Sequence, residues 1–222
     1  MSQLTVTIDG AKRQVDPGTT GTDLYGDRRE VIVMRVDGEL RDLHLEVAAG
    51  QSVEAVLITE PDGLMVLRHS CAHVLAQAVQ QVNPAAKLGI GPPIENGFYY
   101  DFDVAEPFTP ESLKELEKAM QRIVNEGQTF RRRAVTDAEA LAELAHEPYK
   151  CELVGLKSSA DSAAEGASAE VGAGELSIYD NVRKDGSVAW MDLCRGPHVP
   201  TTKVLTNAWS LMRSAAAYWR GS

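Results

Sequence analysis

The chain has 222 residues and a net charge of −10, with 44% hydrophobic and 24% charged residues. These proportions are those of a soluble globular protein with room for one large or two small domains. An acidic balance of this size excludes non-specific coating of nucleic acid through a basic face, because phosphate binding needs clustered Lys and Arg. The N-terminus Met-Ser-Gln-Leu-Thr-Val lacks a basic stretch followed by an apolar run, and no segment approaches the roughly 18 continuous apolar residues that span a bilayer, so a cytoplasmic location is expected. Cys71, Cys151 and Cys194 are too few and scattered for a disulfide framework, and their odd count fits a reducing compartment.

Residues 3 to about 60 read as a small β-rich unit. Leu4, Val6 and Ile8 alternate with Thr5 and Thr7 before the turn pair Asp9-Gly10. Val31–Val36, Asp37-Gly38 and Glu39–Leu43 make the strongest hairpin signal in the chain, with a short helix near Thr20 to Tyr25 before it. A unit this small is marginal alone, so it is expected to be tethered to or packed on the rest.

A helix is expected from about Leu64 to Val82, stopped by Pro84. At about 100° per residue, Leu64, Leu67, Cys71, Val74, Leu75, Ala78 and Val82 form one stripe, with His69 and His73 on the opposite side about 40° apart. That apolar stripe is expected to pack the helix on a sheet. Phe98, Tyr100 and Phe102 alternate as a half-buried strand does, after the turns Gly91-Pro-Pro and Asn96-Gly97. Thr109 caps a second helix with Pro110 at its first position and Gly127 after it. Phe130 to Val135 reads as a strand, and Thr136-Asp-Ala-Glu139 as a capping box for a third helix that ends before Pro148. Ser158 to Gly174 is Ala-, Ser-, Gly- and Glu-rich without apolar periodicity, and is expected to be a mobile insertion. Leu176–Asp180 and Val188–Leu193 flank the turn Lys184-Asp185-Gly186, so the loop bearing Cys194 leaves the end of a strand. Arg131-Arg132-Arg133 and the later Lys203, Arg213 and Arg220 can contact phosphates, although such charges more often decorate a solvated surface.

His69 and His73 are four residues apart, as are Cys194 and His198 in Cys194-Arg-Gly-Pro-His198. HxxxH followed by CxxxH can hold a zinc ion or orient a hydrolytic water, and spacing does not choose between these uses. Gly196 and Pro197 favour a tight turn that brings Cys194 and His198 together. The bland alternative is a turn with a buried Cys and a solvated His.

Four separated motifs, Arg68-His-Ser-Cys-Ala-His73, Gly97-Phe-Tyr-Tyr-Asp-Phe102, Pro148-Tyr-Lys150 and Asp192-Leu-Cys-Arg-Gly-Pro-His-Val-Pro200, together resemble the editing domain of bacterial threonyl-tRNA synthetases. The first 60 or so residues resemble the TGS domain, a ubiquitin-like β-grasp module that precedes it in this family. The run Leu211 to Gly221 resembles the family's passage toward its catalytic domain, so an N-terminal fragment without the aminoacylation core is expected.

The resemblance implies an α+β fold: a β-grasp domain over 1–62, then an editing domain over 63–222 with helices packed on an antiparallel sheet. It implies hydrolysis of seryl-tRNA(Thr) with threonyl-tRNA(Thr) spared, and threonine tRNA as partner. No membrane is expected, and a homodimer is left open. A synthetic site built for threonine rejects serine weakly, because one methyl is worth only about 1–3 kcal/mol, roughly 10- to 200-fold.

The expected site is His73, Lys150, His69, Asp192, Cys194 and His198. Histidine titrates near neutrality, so His73 is the first candidate to orient or deprotonate water, with His69 shaping the pocket or contacting the ribose. Lys150 resembles the family's essential lysine and is expected to position water or stabilise negative charge. Asp192 is expected to pair with the substrate's ammonium or its hydroxyl, and Cys194 and His198 to set the pocket's size. The family edits without requiring a metal there, and a lysine among the ligands repels a cation. No cofactor is therefore expected to be required, and zinc at His69, His73, Cys194 and His198 is the less favoured reading. Two other functions remain open: a zinc-dependent hydrolase using those four residues as ligands, and a non-catalytic tRNA-binding module.

Overall fold

The computed structural model describes residues 2–156, 175–216 and 219. The insertion expected to be mobile, Ser158 to Gly174, lies outside the described residues, as does part of the final run 211–221. The architecture is α+β, with helices and mostly antiparallel sheets in two compact units, residues 1–67 with 196–200 and residues 68–195 with 201–222.

In the first unit, β1 (Leu4–Ile8) and β2 (Ala11–Val15) form a hairpin, followed by α1 (Gly21–Tyr25), β3 (Val31–Val36), β4 (Glu39–Arg41) and β5 (Ser52–Leu57). Both hairpin turns use positive φ at two successive residues, 47° and 81° at Asp9 and Gly10 and 50° and 91° at Asp37 and Gly38. That pattern matches the twist of the strands it joins. The sheet order is β2-β1-β5-β3-β4, with β1 and β5 parallel and the other pairs antiparallel. Thr20 caps α1 reciprocally with Asp23. Val6, Ile8, Tyr25, Val31, Met34, Leu43, Val47 and Val53 form an apolar core.

The next element, α2 (Pro61–Val82), begins three residues before the expected start, and the division between the units falls within it after Leu67. Four short strands follow: β6 (Lys87–Leu88), β7 (Pro93–Ile94), β8 (Gly97–Phe98) and β9 (Phe102–Asp103). The single strand expected over Phe98 to Phe102 is thus broken. Phe98 pairs back to Pro93 while Phe102 pairs with Leu88, so the chain changes partner at Tyr99–Asp101, where the buried Tyr100 turns inward to bond Asp192.

Helix α3 (Pro110–Glu126) has the expected cap, first proline and terminating glycine, with Gly127 at φ 66°. Then come β10 (Thr129–Val135), α4 (Asp137–Glu143) with its Thr136 capping box, α5 (Pro148–Leu156), β11 (Leu176–Val182) and β12 (Val188–Leu193). Helix α5 was not expected, because a nine-residue helix is too short to display a clear apolar period. The sheet β10-β11-β12 is antiparallel throughout. On one of its faces Leu176, Ile178 and Leu193 pack with Val135, Ala140, Leu144, Leu153 and Val154, and Met191 packs partly against them.

Arg131 and Arg133 do not present free guanidinium groups to a phosphate. Both reach the Asp180 carboxylate, at 3.0 and 2.8 Å, and Arg133 also reaches Glu143 at 2.8 Å. No helix among the described residues is long and apolar enough to cross a membrane.

Candidate active site

Side chains on a strand alternate between its two faces. On β12, Met191 and Leu193 belong to the apolar face, so Trp190 and Asp192 point the other way. Directly across the ladder, Asn181 lies beside Trp190 and Tyr179 beside Asp192.

Helix α2 lies against this second face, and it does so with its polar side. His69, His73, Gln77 and Gln80 are spaced by four, four and three residues, which aligns them along one flank. They meet the sheet and its exit loop in order. His69 Nε2 is 3.3 Å from Cys194 Sγ, the His73 ring abuts Trp190 edge-on at 5.7 Å between centroids, and Gln77 Oε1 accepts from Asn181 Nδ2 at 2.7 Å. This corrects the expected packing. The helix is buried on all sides from His69 to Val79, whereas Leu64 and Val82 at the ends of the expected apolar stripe are 38% and 40% exposed. A helix enclosed all round buries its polar flank as well, so the histidines are not the solvated residues that a surface helix would carry.

Asp192 is the hub. Its Oδ1 is 3.0 Å from the Lys150 ammonium and accepts from the Leu193 N–H at 2.8 Å, while Oδ2 accepts from the Tyr100 hydroxyl at 2.6 Å. His73 Nε2 is 4.0 Å from the same Oδ2. Lys150, on the first turn of α5, also lies over the Tyr100 ring, 5.4 Å from its centroid. Lys150 and Asp192 are both wholly buried, so each depends on the other to offset the loss of hydration.

Cys194 follows the last residue of β12, and Gly196 takes a left-handed φ of 69° in the loop beyond it. His198 is buried, with its backbone N–H donating to Asp42 Oδ1 at 2.9 Å. The potential ligand atoms of His69, His73 and Cys194 all lie within 4.8 Å of one another. All six residues singled out in the sequence are therefore buried, and His198, expected in the bland reading to be solvated, is not. Tyr100 was not among them. The alternation of Phe98, Tyr100 and Phe102 gives the inward direction of its ring, but its bond to Asp192, 92 residues further on, has no local signal.

Burial also sets the protonation of the imidazoles. Desolvation, reinforced by the Lys150 charge, lowers the His69 pKa to about 4. His73 is held well below its usual value by desolvation, then by His69 and Lys150. Both rings are neutral at pH 7. This overturns the expectation that His73 titrates near neutrality, because that value belongs to a hydrated ring.

Neutral imidazoles and a thiolate are the right donors for a divalent metal, and His69, His73 and Cys194 can contribute to holding one. The 3.3 Å between His69 and Cys194 is close to the about 3.5 Å that separates two ligands of one tetrahedral zinc. The positive charge of Lys150 acts on both histidines and opposes a cation there.

No family model matches the chain. Curated proteins similar to it over nearly its whole length are bacterial tRNA ligases of one kind. They are threonine–tRNA ligases: that of Micrococcus luteus is 62% identical over 218 residues, 98% of this chain and 32% of the relative. That of Thermobifida fusca is 61% identical over 222 residues, 99% of this chain and 34% of the relative. The ligase of Leifsonia xyli is 63% identical over 212 residues, 94% and 30% of the two chains. The chain spans about a third of the length of the curated relatives it matches.

Proposed function

We propose that this chain is the TGS and editing part of a bacterial threonyl-tRNA synthetase, and that it hydrolyses seryl-tRNA(Thr) while sparing threonyl-tRNA(Thr). Relatives named for threonine and tRNA support the partner. The observation that carries the chemistry is the buried cluster of imidazoles, ammonium, carboxylate and thiol, drawn from widely separated motifs.

In the proposed reaction a water oxygen attacks the ester carbonyl carbon, the bond to the ribose oxygen breaks, and that oxygen leaves with a proton. His73 accepts a hydrogen bond from the water and orients it. A ring whose pKa lies well below neutrality is a weak base, so orientation is its main contribution. The Lys150 ammonium stabilises the charge that develops on the carbonyl oxygen. Asp192, fixed by Lys150 and Tyr100, receives the substrate's ammonium. His69 borders the ribose, while Cys194 and His198 limit the space beside the seryl side chain and obstruct the extra methyl of threonine.

The test is release of amino acid from seryl- and threonyl-tRNA(Thr) at saturating protein. Rapid loss of serine with threonine retained, abolished in His73→Ala and Lys150→Met, is expected. Equal hydrolysis of both esters, or of neither, overturns the reading. A second reading rests on the His69, His73 and Cys194 donors: zinc held by them, with His198 as the expected fourth ligand, where it would polarise an ester carbonyl. Activity that survives a chelator excludes it, and stoichiometric zinc lost together with activity establishes it.

A further inference from the structure

Three side chains that the proposed reaction does not use form a hydrogen-bonded chain beside its reacting groups. Gln80 lies seven residues after His73 on α2, two turns along the same flank. Its Oε1 accepts from Trp190 Nε1 at 2.6 Å, and its Nε2 donates to Glu147 Oε1 at 2.7 Å and to the Ala86 carbonyl at 3.1 Å. The other Glu147 oxygen accepts from the Leu88 N–H at 2.8 Å, and the Glu147 carbonyl accepts from the Cys151 N–H at 3.0 Å where α5 begins.

These bonds leave Gln80 one orientation. Turning the amide over would set its N–H groups against the Trp190 N–H and its oxygen against the Glu147 carboxylate. A fixed amide fixes the indole, and the indole meets the His73 ring at 87° and 5.7 Å. Through Glu147 the same amide ties down the start of α5, three residues before Lys150. One glutamine therefore links the elements that carry His73, Asp192 and Lys150.

We propose that Gln80, Trp190 and Glu147 are positioning residues that hold the His73 ring in register with the Lys150 ammonium. The proposal rests on the deacylation reading above. A rigid supporting layer of this kind matters because a displacement near 1 Å at the reacting groups can cost about 100-fold in rate.

The decisive comparison uses Trp190→Phe, which keeps a ring edge beside His73 but loses the N–H, and Gln80→Leu, which removes all three amide bonds. Each is expected to lower kcat for seryl-tRNA(Thr) deacylation by about 10-fold with KM nearly unchanged. The double variant is expected to lose no more than the worse single variant, since both cut one link. Losses that multiply, or a kcat equal to wild type in Trp190→Phe, overturn the proposal. A readout independent of activity is the nitrogen chemical shifts of the His73 ring in labelled protein. They shift in Trp190→Phe if the indole sets the ring, and unmoved signals overturn the proposal, also where Gln80→Leu does not fold. If the wild type hydrolyses neither ester, the functional reading fails, and these ring signals decide the positioning by themselves.

Discussion

On β12, Met191 and Leu193 face one side of the sheet and Trp190 and Asp192 the other, and the two sides are built of different materials. The first side is an apolar cluster with Ile178, Leu176 and the residues of α4 and α5, where volume and shape decide stability. The second carries His69, His73, Gln77, an ammonium and a carboxylate, all removed from water, with the half-buried Gln80 at its edge. There, each donor and each charge must find a particular partner, because an unmet polar group costs about 1–3 kcal/mol and an unmet charge more. The apolar face specifies that the sheet is covered, whereas the polar face specifies which atoms meet. A site that must hold several groups in one geometry is served by the second kind of packing.

The strongest way to break this contrast is Lys150→Met, which leaves the Asp192 carboxylate buried without its cation. Chemical denaturation is expected to show a loss of about 4 kcal/mol, and the double variant Lys150→Met with Asp192→Asn to recover a large part of it. A full loss retained in the double variant would mean that the lysine contributes by packing and not by charge.

Acid titration separates the two faces next. Below pH 6.5 the unfolded His69 ring takes up a proton that the folded ring refuses until about pH 4, so stability falls as pH drops through that window. The loss is about 3 kcal/mol from His69, with His73 adding in the same direction. Denaturation measured from pH 7 to pH 4 should show this decline, reduced in His69→Asn. On the apolar face the change should be smaller and silent in function. Ile178→Val, which removes one buried methylene, is expected to cost about 1 kcal/mol and to leave the proposed seryl-tRNA(Thr) deacylation unchanged.

Local signals were legible without the fold. Asp9-Gly10 and Asp37-Gly38 make the turns their composition calls for, and Thr109, Thr136 and Gly127 bound helices where a cap and a left-handed residue are needed. Each depends on neighbours within four residues, which the sequence displays directly. The four-residue spacing likewise pointed to His69 and His73, whose ligand atoms lie with that of Cys194 within 4.8 Å of one another.

What the chain order could not show was which side of α2 would face the sheet. Its apolar stripe suggested one answer, yet full enclosure allowed the polar flank to pack on β12 and the residue after it, against Trp190, Asp192 and Cys194. The neutral state of the histidines, the bond from Tyr100 to Asp192 and the reach of Gln80 to both Trp190 and Glu147 share that cause. Each arises from burial and from partners far off in the chain, and desolvation and long-range hydrogen bonds exist only after the elements have packed.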